Sequence, residues 1–366
     1  NFGKLSISEN RRYLMEGDKP FFWLGDTAWL MFLKLDEDEI YTYLRNRKEK
    51  GYNVIQTVLI QSPQDVESSL ALGRKDVTKS EYWNFVDQIL DMAEQMGLYI
   101  GLLPAWGSLV KSNILNMETM RIYANFLGKR YQNRKNLIWI LGGDVRGDVG
   151  YDVFCLEGEI LKSYNPERII AYHPFGRTSS SLWFHNEPWL DMNLFQSGHR
   201  RYDQASLGEW DDNAERETFF GEDNWKYVDR DLSYDIVKPT LDAEPSYEGT
   251  PQGLHNPRNS ILGGVGCSPL CVFGLCLPER QVIPMEATQL CSFTMISMSG
   301  ALNGVRELWQ DAMHHPGCAQ LKYLKDLMES VDFINGKADD SLLLFGQKER
   351  YPSNFCVCRR GLYSLL

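Results

Sequence analysis

Asn136-Leu-Ile-Trp-Ile-Leu-Gly-Gly-Asp144 is a run of large apolar residues that ends in two glycines and an acid. Leu137 to Leu141 reads as a strand buried on both faces, as in a parallel sheet covered by helices. Gly142 and Gly143 let the backbone leave that sheet sharply and let another group approach it closely. An acid just past the C-terminal end of such a strand occupies the place where α/β barrels keep their chemistry. The same acid could instead cap the next helix, since Asp is a common N-cap. The segment alone leaves both readings open for Asp144.

Outward from this stretch the pattern repeats. Pro20 to Asp26 is an apolar run ending in Gly25 and an acid, with Thr27 and Trp29 beyond it. Asp36 to Lys50 has helical period, opens with acids and stops at Gly51, as dipole and capping preferences favour. Tyr52–Ile60 reads as a second strand, Glu81–Met96 as a helix stopped by Gly97, and Leu98–Trp106 as a third strand. A helix from about Glu118 to Tyr131 leads into the opening stretch. Beyond it come a helix over Tyr151–Tyr164, strands over Arg168–His173 and Leu190–Gln196, a helix over residues 223–234, and a seventh strand over Val237–Glu244.

Strands alternating with helices predict parallel βαβ units with right-handed crossovers. Seven units before residue 250, with chain left for one more, predict a (β/α)8 TIM barrel rather than a doubly wound sheet. No G-x-G-x-x-G follows the first strand and no G-x-x-x-x-G-K-[ST] occurs, so nucleotide binding has no sequence support.

Composition narrows the function classes. A net charge of −11 is the opposite of the basic footprint of a nucleic-acid binder, so no nucleic-acid partner is expected. No window of 18 uninterrupted apolar residues occurs, so no membrane span is expected. The opening NFGKLSISENRRYL lacks an apolar signal core, so the expectation is a chain either cytosolic or already trimmed of its signal. Four of the eight cysteines, Cys267, Cys271, Cys276 and Cys291, crowd into one segment, and Cys356 and Cys358 lie near the end. Their spacings match paired C-x2-4-C zinc ligands only loosely, so no metal and no other cofactor is expected.

Two acids stand at strand ends across the expected barrel mouth, Asp144 after strand four and Glu244 after strand seven. Glycoside hydrolysis requires two carboxyls flanking one bond, one to protonate the leaving group and one to attack or to activate water. Pro245 fixes the backbone after Glu244, Tyr247 could donate to a nearby carboxylate, and Asp242 and Glu248 compete with Glu244 for the role. Asp26, Gln56, Trp106, His173, Gln196 and His199 close other strands. With Trp29, Trp106 or Trp183 as an apolar platform and His185 nearby, they resemble a pocket for sugar hydroxyls. A metallohydrolase barrel would want His-x-His at the first strand, where this chain has Gly25-Asp26. A non-catalytic glycan-binding barrel is the competing class.

The motifs PFFWLGDTAW (20–29), GYNVIQ (51–56), GLYIGLLPAWG (97–107), FLGKRYQNRKNLIWILGGD (126–144), YHPFGRTSSS (172–181), WFH (183–185), QSGH (196–199) and KPTLDAEPSYE (238–248) occur in the order of the apiosidase-like glycoside hydrolases, family 140. The resemblance covers roughly residues 5 to 255 and resumes from 305 to 330. It implies a retaining glycosidase with Asp144 as acid/base and Glu244 as nucleophile, acting on an oligosaccharide or polysaccharide. The activity it implies is release of apiose, a branched pentose, from pectic side chains, and a different sugar specificity on the same scaffold is the alternative. It also implies a periplasmic or extracellular enzyme whose signal has been removed, with a small C-terminal β domain after the barrel. The expected division is a barrel over 1–330 and the truncated start of that β domain over 331–366.

Residues 260–302 depart from the family, which has strand eight there and an aromatic-rich segment ending near Tyr-Thr-Tyr-Gly. We read this segment as a frame-shifted translation. Moving Ile261 to Cys271 by one base, with permitted codons, gives Tyr-Trp-Glu-Ala-Trp-Asp-Val-Arg-Arg-Tyr, and a further slip near Phe273 restores Ala-Gly-Ala-Ala-Gly-Tyr-Thr-Tyr-Gly. The tail from Phe355 to Leu366 reads as a second such event. The alternative is a divergent segment with a changed eighth strand; resequencing that finds an unbroken frame would establish it.

Overall fold

A computed structural model describes residues 2–61, 79–197, 225–245, 309–314 and 316–335. The proposed frame-shifted segment, the tail and the C-terminal β domain lie outside the described residues, except that a 3-10 turn at Phe333–Asn335 packs edge-on against Tyr13 and Phe22.

The first three strands, β1 (Leu5–Ile7), β2 (Leu14–Glu16) and β3 (Lys19–Phe21), form an antiparallel sheet in that order. The barrel strands follow: β4 (Gly25–Thr27), β5 (Val54–Val58), β6 (Tyr99–Leu103), β7 (Leu137–Gly142) and β8 (Ile170–His173), then β9 (Asn193–Phe195) and β10 (Thr240–Asp242). β4 to β8 make one all-parallel sheet in sequence order, and β10 pairs with β9 in parallel. Asp191 bridges the two sheets: its N–H donates to the Ile170 carbonyl at 2.9 Å, and its Oδ2 accepts the Ile170 N–H at 2.8 Å. Each described strand thus neighbours the next along the chain, with no reversal of order, which is how a (β/α)8 barrel winds. Seven of its strands are described.

The apolar run expected as strand one divides between two sheets. Phe21 closes the antiparallel sheet and only Gly25 to Thr27 joins the barrel. The antiparallel sheet plugs the barrel's N-terminal end, where Leu5, Leu14 and Phe21 join the interior cluster and the Tyr99 hydroxyl donates to Glu16 Oε1 at 2.6 Å.

Side-chain parity fixes what each strand offers. Val54, Val58, Tyr99, Leu103, Ile138, Ile140, Ala171 and Leu194 pack inside the barrel. Ile55, Ile100, Leu102, Leu137, Trp139, Leu141, Ile170 and Tyr172 alternate with them and pack outward under the helices.

Those helices are α1 (Met31–Lys34), α2 (Glu37–Glu49), α3 (Ser80–Gln95), α4 (Ser108–Lys111), α5 (Met117–Tyr131), α6 (Tyr151–Tyr164), α7 (Ser181–Phe184), α8 (Trp225–Leu232), α9 (Trp309–Ala312) and α10 (Pro316–Glu329). The acids that open α2 form a capping box, in which Asp36 accepts the Glu39 N–H and Glu39 accepts the Asp36 N–H. Such a cap contributes about 1 kcal/mol. Among the described residues no helix is long and apolar enough to cross a membrane.

Candidate active site

The end of β7 is a backbone arranged for close approach. Gly142, Gly143 and Asp144 have φ of 84°, 104° and 49° in succession. A Cβ on Gly142 would lie 2.5 Å from the His173 carbonyl oxygen, and one on Gly143 2.7 Å from the Trp106 ring. Only glycine lets β8 and Trp106 close on this turn. Asp tolerates the left-handed region better than most residues. The next helical elements are capped at Arg146 and Gly150, so Asp144 caps neither and its exposed side chain stands at the mouth.

Three further side chains converge there. Gln196 Nε2 donates to Asp144 Oδ1 at 2.9 Å and to Glu244 Oε2 at 2.7 Å, so one amide nitrogen serves both acids. His173, at the inward end of β8 and fully buried, places Nε2 3.2 Å from Glu244 Oε2. The two atoms face each other at ion-pair distance. Burial is the largest single influence on His173 and lowers its pKa, yet Glu244 and then Asp144 outweigh it and leave the imidazole more basic than usual. One potential ligand atom each of Asp144, His173 and Glu244 lies within 4.8 Å of the others.

Carboxylates and an imidazole are also the donors of a divalent-cation site. Here Gln196 directs N–H groups at both acids, and a cation would have to displace them. The arrangement suits two carboxylates acting on one bond.

Glu244 lies just past β10, where the chain has left the ladder. Its N–H donates to Asp242 Oδ1 at 3.3 Å, and Asp242 Oδ2 accepts the Ser197 hydroxyl at 2.6 Å. Burial pushes Asp242 up to about 7, against the hydrogen bonds from Ser197 and the Glu244 backbone. Asp242 thus holds the Glu244 backbone N–H and the Ser197 hydroxyl. Gln56, inward on β5, donates from Nε2 to the Ala243 carbonyl at 3.1 Å and ties that strand to the residue before Glu244.

Trp29 and Trp106 reach the site as its buried wall rather than as an open platform. Trp29 meets Trp106 edge-on at 5.1 Å and His173 at 5.3 Å between ring centroids. Trp183 is half-buried under the Arg146 guanidinium.

Two expected site residues lie elsewhere. Asp26 pairs with Ile55 across the ladder and so shares its outward parity. Its carboxylate accepts from Tyr43 at 2.8 Å and Arg47 at 3.2 Å on α2, fully buried, and fastens that helix to the barrel. His185 sits below the strands: Nε2 donates to the Ile236 carbonyl at 2.7 Å and Nδ1 accepts from Asn193 at 3.1 Å. Ile236 precedes β10 and Asn193 opens β9, so His185 is at the end opposite the mouth. His199 and Tyr247 lie outside the described residues, as do Glu248 and the clustered cysteines; Cys318 is buried near Arg47 and Cys155 is half-buried.

Residue-by-residue reading missed the Gln196 bridge and the support from Asp242 and Ser197. Inward parity along 194–196 was the available signal for the first, and adjacency to Glu244 for the second.

A family model described as "Apiosidase-like, catalytic domain" matches residues 8–264. The chain belongs to the apiosidase-like family. Two solved structures place this apiosidase-like chain among glycoside hydrolases. One, described as a glycoside hydrolase, is 35% identical with a TM-score of 0.77, covering 96% of this chain and 80% of its own. The other, from Bacteroides vulgatus and described as a family 5 glycoside hydrolase, is 33% identical with a TM-score of 0.76, covering 96% and 78%. None of the curated proteins matches. The apiosidase-like chain is a glycoside hydrolase of (β/α)8 architecture, and its substrate is a carbohydrate.

Proposed function

We propose that this enzyme releases apiose from plant pectic side chains with retention of configuration, Asp144 serving as acid/base and Glu244 as nucleophile. The observation that carries the reading is the Gln196 amide within hydrogen-bonding reach of both acids. Carboxyls that share one donor suit the ~5–5.5 Å spacing of retaining enzymes better than the ~6.5–9.5 Å of an inverting pair. Glu244 is buried with His173 Nε2 3.2 Å from its carboxyl, while Asp144 is exposed at the mouth. In the first step a Glu244 oxygen bonds to the anomeric carbon as the glycosidic bond breaks and the Asp144 proton passes to the leaving oxygen. In the second, water gives a proton to Asp144 and its oxygen replaces Glu244 on the anomeric carbon.

The apiose assignment rests on the family match. Pectic oligosaccharides incubated with the enzyme should yield apiose by chromatography, and proton NMR at early times should show the anomer present in the substrate. A different monosaccharide would overturn the apiose assignment, the opposite anomer would overturn retention, and binding without turnover would favour a glycan-binding barrel. The proposed place of action is periplasmic or extracellular, where polymeric pectin is met; recovery only from the cytoplasmic fraction would refute that.

A further inference from the structure

We propose that Gln196 is a positioning residue that gives one amide hydrogen to Asp144 Oδ1 and the other to Glu244 Oε2, assigning the transferable proton of Asp144 to Oδ2 and coupling the states of the two acids. The inference rests on the acid/base and nucleophile roles proposed above.

The amide is held from several directions. The Gln196 N–H donates to the Thr178 carbonyl at 3.1 Å, and its own carbonyl accepts the Arg177 N–H at 2.7 Å. Ser179 bridges Phe195 in antiparallel fashion, and Phe195 stacks on Tyr227 at 4.7 Å. The segment after β8 thus folds back along β9 and fixes the register of Gln196, whose side chain is 4% exposed. Around that amide stand Asp144 after β7, Glu244 after β10 and, against Glu244, His173 at the end of β8; Asp242 ends β10 beside them. Asp242 is engaged with Ser197, and His173 lies against Glu244. A carboxylate only accepts, so the NH2 end of the amide must face both acids, and its two hydrogens supply one to each.

This geometry does more than pack. With Oδ1 held as an acceptor, the Asp144 proton resides on Oδ2 and leaves from there to the glycosidic oxygen. Once Glu244 is esterified it has lost its charge and is a weaker acceptor. The Gln196 bond to the newly anionic Asp144 is then the stronger of the two, at the moment when Asp144 must hold its charge and draw a proton from water. A purely structural glutamine would have no such dependence on protonation state.

The test uses the full chain with Gln196→Leu and Gln196→Glu. Carbodiimide labelling of Asp144, located by peptide mass spectrometry across pH, follows its protonated fraction without any substrate. Loss of the donor favours protonation, so the labelling midpoint in Gln196→Leu should move up by about one pH unit. On pectic oligosaccharides kcat should fall ~100-fold with KM within ~3-fold, and the pH profile of kcat/KM should shift the same way. Gln196→Glu should fall at least as far as the Leu variant at high pH, where a third carboxylate repels both acids, and recover in part at low pH, where the new carboxyl is protonated and donates to one of them. That variant decides the matter if Gln196→Leu does not fold. An unchanged labelling midpoint in the folded variants, or a raised KM with unchanged kcat, would overturn the proposal. If the wild type releases no apiose, the apiose reading falls while the labelling still decides the role of Gln196.

Discussion

Replacing Gly143 with alanine should injure both stability and catalysis, and replacing Gly17 should not. Both glycines have positive φ, 104° and 61°. A Cβ at Gly17 meets nothing within 4 Å, so Gly17→Ala carries only the left-handed backbone cost of about 1–2 kcal/mol. A Cβ at Gly143 would lie 2.7 Å and 2.9 Å from two atoms of the Trp106 ring. That ring is buried against Trp29 and His173 and has little freedom to turn away. Backbone strain of about 1–3 kcal/mol and overpacking of about 1–3 kcal/mol then add, giving roughly 2–6 kcal/mol. The displaced backbone carries Asp144, and a misplacement of about 1 Å can cost ~100-fold in rate. Thermal unfolding should show a midpoint depression for Gly143→Ala roughly two to three times that of Gly17→Ala. Sugar release should fall ~10–100-fold in the first variant and hold in the second. Equal melting shifts with undiminished turnover would refute the close-approach argument.

Arg47→Met should leave Asp26 buried without its cation and cost about 3–5 kcal/mol in urea unfolding, with KM on pectic oligosaccharides unchanged because Asp26 faces α2 rather than the mouth. The folded pKa of His173 is raised, so its stabilising contribution is full below about 6.5 and is lost as pH rises through the higher folded value. The thermal midpoint of His173→Gln should therefore lie furthest below wild type in acid, and the gap should close toward alkaline pH.

Local chemistry made much of this fold legible. A continuous apolar run announced β7, and acids at Asp36 to Glu39 announced the start of α2, because both signals lie within a few residues of what they specify. The division of 20–26 between two sheets was hidden, since hydrophobicity does not say where one ladder ends. At the site, strand order placed Asp144 and Glu244 on the same face, and the family pattern supplied their roles. Asp26 was misplaced because a strand end was equated with the mouth, whereas alternation along Gly25 to Thr27 turns its side chain outward beside Ile55. His185 depended on the carbonyl of Ile236, far along the chain, and on the Asn193 side-chain amide, and no local signal reports such contacts. The Gln196 bridge likewise needs the ends of β7, β9 and β10 together.

The central claim is that Asp144 and Glu244 perform the chemistry as a pair. Turnover of pectic oligosaccharides by Asp144→Asn and Glu244→Gln, measured beside melting curves that establish folding, tests it most directly. The account predicts a loss of ~100-fold or more in kcat for each variant, with oligosaccharide binding retained. Wild-type turnover by either folded variant would contradict it.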